Sequence, residues 1–197
     1  YVLNMLDQDQ LAGLILPIGD LTKAEVRRRA TALGLRTADK PDSQDVCFIT
    51  RQHGREDFLG RRIAVTPGRV LDGSGAEVGS VSAVELVTIG QRRGMALAGG
   101  VGPRFAVDVD VAGATVTVGP VGDLMVDTTP VESFSWADAP VDGMVLVQTS
   151  AHGSSDPAVL DGDVVRWSEP HMKVAPGQSV VFYDGDEVLG GSIARRA

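Results

Sequence analysis

The segment with the clearest chemical potential is Asp42-Ser43-Gln44-Asp45-Val46-Cys47-Phe48-Ile49, which holds the one cysteine of a 197-residue chain. A single thiol cannot close an internal disulfide. A chemical role for Cys47 is therefore that of a nucleophile, a sulfur carrier or half of a bond to a group outside the chain. Two readings of its surroundings compete. Val46, Phe48 and Ile49 form a short apolar run that fits a strand entering a core, where a free cysteine behaves as a small hydrophobe. The polar stretch from Asp42 to Asp45 fits a turn instead, which puts Cys47 at the edge of an element, within reach of solvent or a substrate. The negative charges of Asp42 and Asp45 disfavour a thiolate close by, so activation needs a cation from elsewhere.

A second candidate is Thr88-Ile89-Gly90-Gln91-Arg92-Arg93-Gly94, followed by the glycine-rich Ala98-Gly99-Gly100-Val101-Gly102. Two arginines between glycines can present guanidinium groups to phosphates, and Gln91 an amide to a base edge. The bland reading, a solvated loop with incidental charges, also fits, as it does for Arg27-Arg28-Arg29 and Arg61-Arg62. Ala175-Pro176-Gly177-Gln178 reads by itself as a turn ahead of the strand Ser179–Tyr183. His53, His152 and His171 are scattered and, with one cysteine, offer no zinc-ligand spacing.

The elements that must position these groups change character along the chain. With 43% hydrophobic residues the sequence is ordinary for a globular protein, long enough for one large domain or two small ones. No apolar run reaches the roughly 18 residues of a membrane span and no signal-like start is present, so a soluble, cytoplasmic chain is expected. The opening Tyr1-Val2-Leu3-Asn4-Met5-Leu6 has neither a start methionine nor a cap, which suggests that sequence precedes it. Leu14 to Gly19 reads as a short extended run closed by a turn, and Thr22-Lys23-Ala24-Glu25 as a capping box opening a helix. That helix carries Val26, Ala30 and Leu33 on one face and stops at Gly34. Past residue 56, strands and tight turns take over: Gly68–Leu71 with Ala76–Val81 around Asp72-Gly73, and Phe105–Asp110 with Thr115–Val118 around Gly113. Short runs at Met144–Gln148, Val164–Trp167, Ser179–Tyr183 and Val188–Leu189, punctuated by Asp161-Gly162 and Asp184-Gly185, argue for a small β-barrel or sandwich. The net charge of −8 is unevenly placed: residues 1–56 carry 8 basic and 8 acidic side chains, 57–119 carry 6 and 6, and 120–197 carry 4 and 12.

In order, Leu21-Thr-Lys-x-Glu-Val-Arg, Asp42-Ser-Gln-x-x-Cys-Phe-Ile, Asp57-Phe-Leu, Thr88-Ile-Gly-Gln-Arg-Arg-Gly, Pro176-Gly-Gln-Ser and Val188-Leu-Gly-Gly-Ser-Ile closely resemble the motifs of the bacterial tRNA-specific 2-thiouridylase (MnmA) family, nearly end to end. The resemblance implies an ATP-dependent sulfurtransferase that converts the wobble uridine of tRNAs for Lys, Glu and Gln to 2-thiouridine. In that family an N-terminal domain with a Ser-Gly-Gly-Val-Asp-Ser loop binds ATP and adenylates the uridine. Neither that loop nor that domain's catalytic cysteine occurs here, so the chain alone is expected to be inactive. The family's second cysteine falls on Cys47, implied to carry a persulfide delivered by a cysteine desulfurase or a sulfur-relay protein.

The implied fold is mainly β with an α/β remnant at the N-terminus: residues 1–56 as the tail of the catalytic domain, 57–119 as a central tRNA-binding module, and 120–197 as a C-terminal β-barrel. The implied tRNA contacts are Gln91, Arg92, Arg93 and Gln178, with Ser150 and Ala151 at the position of the family's barrel motif. That motif, Arg-Tyr-Arg, is replaced here by Ser150-Ala151-His152. Neither membrane nor DNA is implied as a partner. A reading from a different class is a non-catalytic RNA-binding or interaction module with a structural cysteine.

Overall fold

The computed structural model describes residues 1–41, 54–97 and 102–196. The chain divides into two compact units, Asp9–Arg62 and a second comprising Tyr1–Gln8 with Ile63–Ala197. Cys47 and its flanking motif lie outside the described residues, as do Ala98 to Val101.

Three helices precede the strands: α1 (Gln8–Ala12), α2 (Lys23–Ala32) and α3 (Gly54–Gly60). Thr22 starts α2 as the sequence predicts, its hydroxyl accepting from the Glu25 amide at 3.3 Å. The Glu25 carboxylate accepts from Arg28 Nη2 at 2.7 Å and Arg29 Nε at 2.8 Å, which draws two of the three consecutive arginines into the helix's own surface. Gly34, at φ 66°, ends the helix in the left-handed conformation. Its amide and that of Leu35 return to Thr31 O and Ala30 O at 2.9 Å each. No residue of α2 is buried, and Leu33 is 75% exposed, so the face expected to enter a core is only partly covered within this unit. Leu14 to Leu16, expected as an extended run, joins no strand; the predicted turn follows at Pro17–Asp20.

In the larger unit a five-stranded sheet is ordered β3-β2-β1-β5-β4. Its members are β1 (Gly68–Asp72), β2 (Glu77–Val81), β3 (Ala96–Leu97), β4 (Phe105–Asp110) and β5 (Thr115–Gly119). Both expected hairpins form, β1 with β2 and β4 with β5, and the parallel pairing of β1 with β5 joins them. The Asp72 carboxylate accepts from the amides of Ser74 and Ala76 and from the Ser74 hydroxyl, which pins the first turn and holds that carboxyl below its ordinary range. Val70, Val84, Ala106, Val116 and Val118 are fully buried in the core of this sheet.

The remaining six strands close a barrel in the order β10-β11-β6-β9-β8-β7, with β10 pairing to β7. They are β6 (Met125–Trp136), β7 (Gly143–Gln148), β8 (Asp156–Asp161), β9 (Val164–Met172), β10 (Ser179–Asp184) and β11 (Glu187–Ala194). Two of them, β6 and β8, were not expected as strands. Each contains a proline, Pro130 or Pro157, which argues against a paired strand until the neighbours are known. The interior follows the two-residue period, with Val145 and Val147, Ala158 and Leu160, Val165 and Trp167, Val180 and Phe182 in one cluster. Phe134, Trp136 and Phe182 stack there with centroids 5.4–6.1 Å apart. The fold is therefore mainly β, with few helices near the N-terminus, as the sequence implied. Among the described residues no helix is long and apolar enough to cross a membrane.

The glycine pair in Val188-Leu-Gly-Gly-Ser-Ile has a packing reason. A Cβ on Gly190 would collide with Ser135 O and lie 2.8 Å from Trp136 Cε3 inside the barrel, and one on Gly191 would collide with the Asn4 carboxamide outside it. Gly190→Ala is thus expected to lower stability by about 1–3 kcal/mol through overpacking, read as an earlier urea midpoint with unchanged slope.

In α2 the arginine hydrogen bonds hold the exposed Glu25 carboxyl down at about 2, from an ordinary 4.5. This depressed value makes Glu25's contribution to helix stability complete above about pH 4.5 and lost as pH falls toward 2. An NMR titration of the Glu25 side chain should show the low midpoint, and Arg28→Gln should move it back toward 4.5.

Candidate nucleic-acid interface

The loop carrying Gln91, Arg92 and Arg93 follows a 3₁₀ turn at Val84–Leu86 and precedes β3. Two glycines in left-handed conformations, Gly90 at φ 82° and Gly94 at φ 79°, fold it sharply. It is fastened to β4 by Gly90 N to Ala106 O at 2.8 Å and Ala106 N to Gln91 O at 2.9 Å. The Gln91 carboxamide accepts from the Thr88 amide at 3.1 Å and donates to Arg93 O at 2.7 Å. Gln91 therefore uses its amide to brace the loop, whereas the sequence pattern suggested an amide offered to a base. Arg92 and Arg93 follow that brace, both exposed.

Their freedom separates them from the other basic clusters. Arg28 and Arg29 are paired to Glu25, Arg61 is paired to Asp57 at 3.0 Å, and Arg62 lies 3.7 Å over the Phe58 ring. Among the described residues neither Arg92 nor Arg93 makes an ion pair. Two adjacent guanidinium groups without an ion pair, on a loop hydrogen-bonded to β4, suit phosphate oxygens.

Gln178 lies in the turn before β10, behind Gly177 at φ 85°. Its amide donates to Thr149 O at 2.5 Å, which ties the turn to the β7–β8 loop containing Ser150, Ala151 and His152, all exposed. Tyr1 joins the same place, its hydroxyl facing Thr149 O at 3.2 Å and Ser179 O at 3.0 Å. Burial pushes the Tyr1 phenol upward, with a further contribution from nearby Tyr183, whose own phenol is raised by burial. Tyr183 in turn donates to Gln148 Oε1 at 2.6 Å, and Gln148 donates to Gly153 O at 2.8 Å. Gln178, Ser150 and Ala151 thus share one end of the barrel. Tyr1 was not singled out as a contributor, because only the closed barrel brings residue 1 beside residues 149 and 179.

A cleft of about 640 Å³ lies between the sheet and the barrel. Its lining includes Thr88 and Ile89, immediately before Gly90–Arg93, and Ala175 and Pro176, immediately before Gly177 and Gln178. Two motifs more than 80 residues apart in sequence therefore open onto one cavity. Among the described residues no group of three or more His, Cys, Asp or Glu side chains is arranged to hold a metal ion.

Three consecutive family models match the chain: a tRNA methyl transferase HUP domain over residues 1–51, a tRNA methyl transferase PRC-barrel domain over 56–120, and an aminomethyltransferase beta-barrel domain over 131–194. A tRNA-specific 2-thiouridylase MnmA from Roseiflexus sp. (strain RS-1) is 46% identical over 210 residues, covering 99% of this chain. The chain belongs to the MnmA family. Proteins of the same name from Thermobifida fusca and Mycobacteroides abscessus are 41% and 39% identical over 98% and 100% of the chain. The chain spans 55%, 54% and 59% of the lengths of these three relatives.

The bracing role of Gln91 has a measurable consequence. Gln91→Leu should cost about 0.5–1.5 kcal/mol and speed hydrogen exchange at the Thr88 amide, whereas replacing Arg92 and Arg93 together by glutamine should leave stability within about 0.5 kcal/mol.

Proposed function

We propose that this chain serves a tRNA sulfurtransferase that 2-thiolates the wobble uridine of tRNAs for Lys, Glu and Gln, with Cys47 carrying the sulfur as a persulfide and the loops around the cleft gripping tRNA. The observation that carries the reading is the end-to-end match to proteins named tRNA-specific 2-thiouridylase, together with the lone cysteine in Asp42-Ser-Gln-x-x-Cys-Phe-Ile. The family models' description names a methyl transferase, but a chain whose one thiol stands in a motif shared with thiouridylases fits sulfur transfer better. A persulfide suits the transfer because its terminal sulfur attacks the uridine carbon as the adenylated oxygen leaves, and the S–S bond then breaks by attack of a second thiol, from the part of the relatives that this chain does not span, which ends in a disulfide with Cys47. The donor in this reading is a cysteine desulfurase, acting directly or through a relay protein. Arg92 and Arg93 supply phosphate contacts. Gln178 and the Ser150–Ala151 loop supply contacts at the barrel's end.

In this reading ATP is not held by α2. The sequence has no Ser-Gly-Gly-Val-Asp-Ser loop, and the N-terminus of α2, the ten-residue helix, is already capped by Thr22 and carries the anionic Glu25 in its first turn. In this proposal nucleotide chemistry falls to the part of the relatives' length that this chain does not span.

The test joins this chain to that remaining part of the Roseiflexus relative and quantifies 2-thiouridine by mass spectrometry after incubation with tRNA, ATP and a sulfur donor. Cys47→Ser should abolish the product while tRNA binding persists. Undiminished product would make Cys47 structural and overturn the mechanism.

A further inference from the structure

The segment 120–197 carries 12 acidic and only 4 basic side chains, yet three of those four, Lys173, Arg195 and Arg196, line the cleft between sheet and barrel. Lys173 reaches across it, its ammonium donating to Val107 O of β4 at 3.1 Å, and no carboxylate pairs with it among the described residues. Arg195 pairs with Asp163 at 2.7 Å and Arg196 with Asp108 at 3.1 Å, but both pairs are open to solvent, with side chains 39% to 62% exposed. Ion pairs this exposed are worth little, so a phosphate oxygen can replace a carboxylate at small cost and gain a bidentate guanidinium contact.

We propose that the cleft is a track for the phosphodiester backbone of bound tRNA, with Lys173 and Arg196 as its principal cations and Arg195 as a third. This rests on the tRNA reading above and deepens it, because the cleft connects the Gly90–Arg93 loop to the Pro176–Gln178 turn. A nucleic acid is favoured over a small free anion because the lining runs from Thr88 and Ile89, beside the exposed Arg92 and Arg93, to Ala175 and Pro176, beside Gln178, so a chain of phosphates can meet the cleft cations and both loops together. Asp108 is the opposing charge in the lining and tempers the site. The arrangement also answers how a barrel with an eight-charge acidic excess can face a polyanion: its few cations are gathered where the strand passes.

The probe is an unmodified tRNA transcript, its affinity for the 197-residue chain measured across a salt series. Lys173→Gln and Arg196→Gln should each lower the slope of log affinity against log salt by about one, and Lys173→Arg should restore it. Asp108→Asn should raise affinity, since it removes a negative charge and releases Arg196. A purely structural latch predicts the opposite for Asp108→Asn, a lower melting temperature with no gain in affinity, and that result would overturn the proposal. Unchanged slopes for Lys173→Gln and Arg196→Gln beside a reduced slope for the Arg92/Arg93 double variant would overturn the track while leaving the tRNA reading intact. Absence of measurable tRNA binding by the wild-type chain would overturn the track, whereas the tRNA reading itself stands or falls with the thiolation test on the joined protein.

Discussion

Strand β6 is the constraint on which the barrel end of the molecule depends. Over twelve residues it changes partner, pairing through Met125–Pro130 with β9 and through Val131–Trp136 with β11. Pro130 stands at the exchange, where its missing N–H costs no ladder bond; its carbonyl accepts from Arg195 N at 3.0 Å, and Val131 N donates to Asp163 O at 2.8 Å. One strand thus builds both regions of interest. Its first half puts Val126, Thr128 and Thr129 into the cleft lining, and its second half sends Phe134 and Trp136 into the aromatic stack against Phe182. The Trp167 indole donates to Thr129 Oγ1 at 2.9 Å in the buried region between them, so the cleft wall is anchored on the barrel core.

Electrostatics divides the arginines into two kinds. Arg28 and Arg29 face Glu25 and Arg61 faces Asp57 at three- or four-residue spacing, so these charges are paired before any partner arrives, and Arg62 lies over the Phe58 ring. Arg92 and Arg93 sit on a loop whose own turn bonds are made by glycine backbone and the Gln91 amide, and among the described residues they pair with no acid. The same contrast explains the acidic barrel. Its average charge repels a polyanion, but the field at a surface depends on local arrangement, and closure of the barrel beside the sheet sets Lys173, just past β9, and Arg196, just past β11, near β4.

Much of the strand pattern was legible because turn chemistry is local. Asp72-Gly73 marked a hairpin that the Asp72 carboxylate then pins, and Gly113 marked the second, where Ala114 adopts φ 50°. The missing strands, β6 and β8, were hidden by Pro130 and Pro157, whose cost depends on which neighbour would have used the absent donor. The bracing role of Gln91 was hidden for a related reason: its spacing from Thr88 and Arg93 says that bonding within the loop is possible, but only the Gly90 and Gly94 conformations make it happen. Lys173, Arg195 and Arg196 gave no signal in sequence, since β4, β6 and the segments after β9 and β11 that meet at the cleft are not neighbours along the chain.

The sequence by itself determined the family, through collinear motifs, and the succession of helices, hairpins and short strands, through periodicity, caps and turn residues that act over a few positions. It also singled out Cys47 as the one thiol of the chain. Tertiary structure alone decided which cations remain unpaired, that Gly190 and Gly191 are required by the approach of Trp136 on one side and Asn4 on the other, and that two distant loops share a cleft. The physical reason is range: backbone conformation and capping are settled within about four residues, whereas ion pairing, close packing and cavity shape depend on which segments the closed barrel brings together.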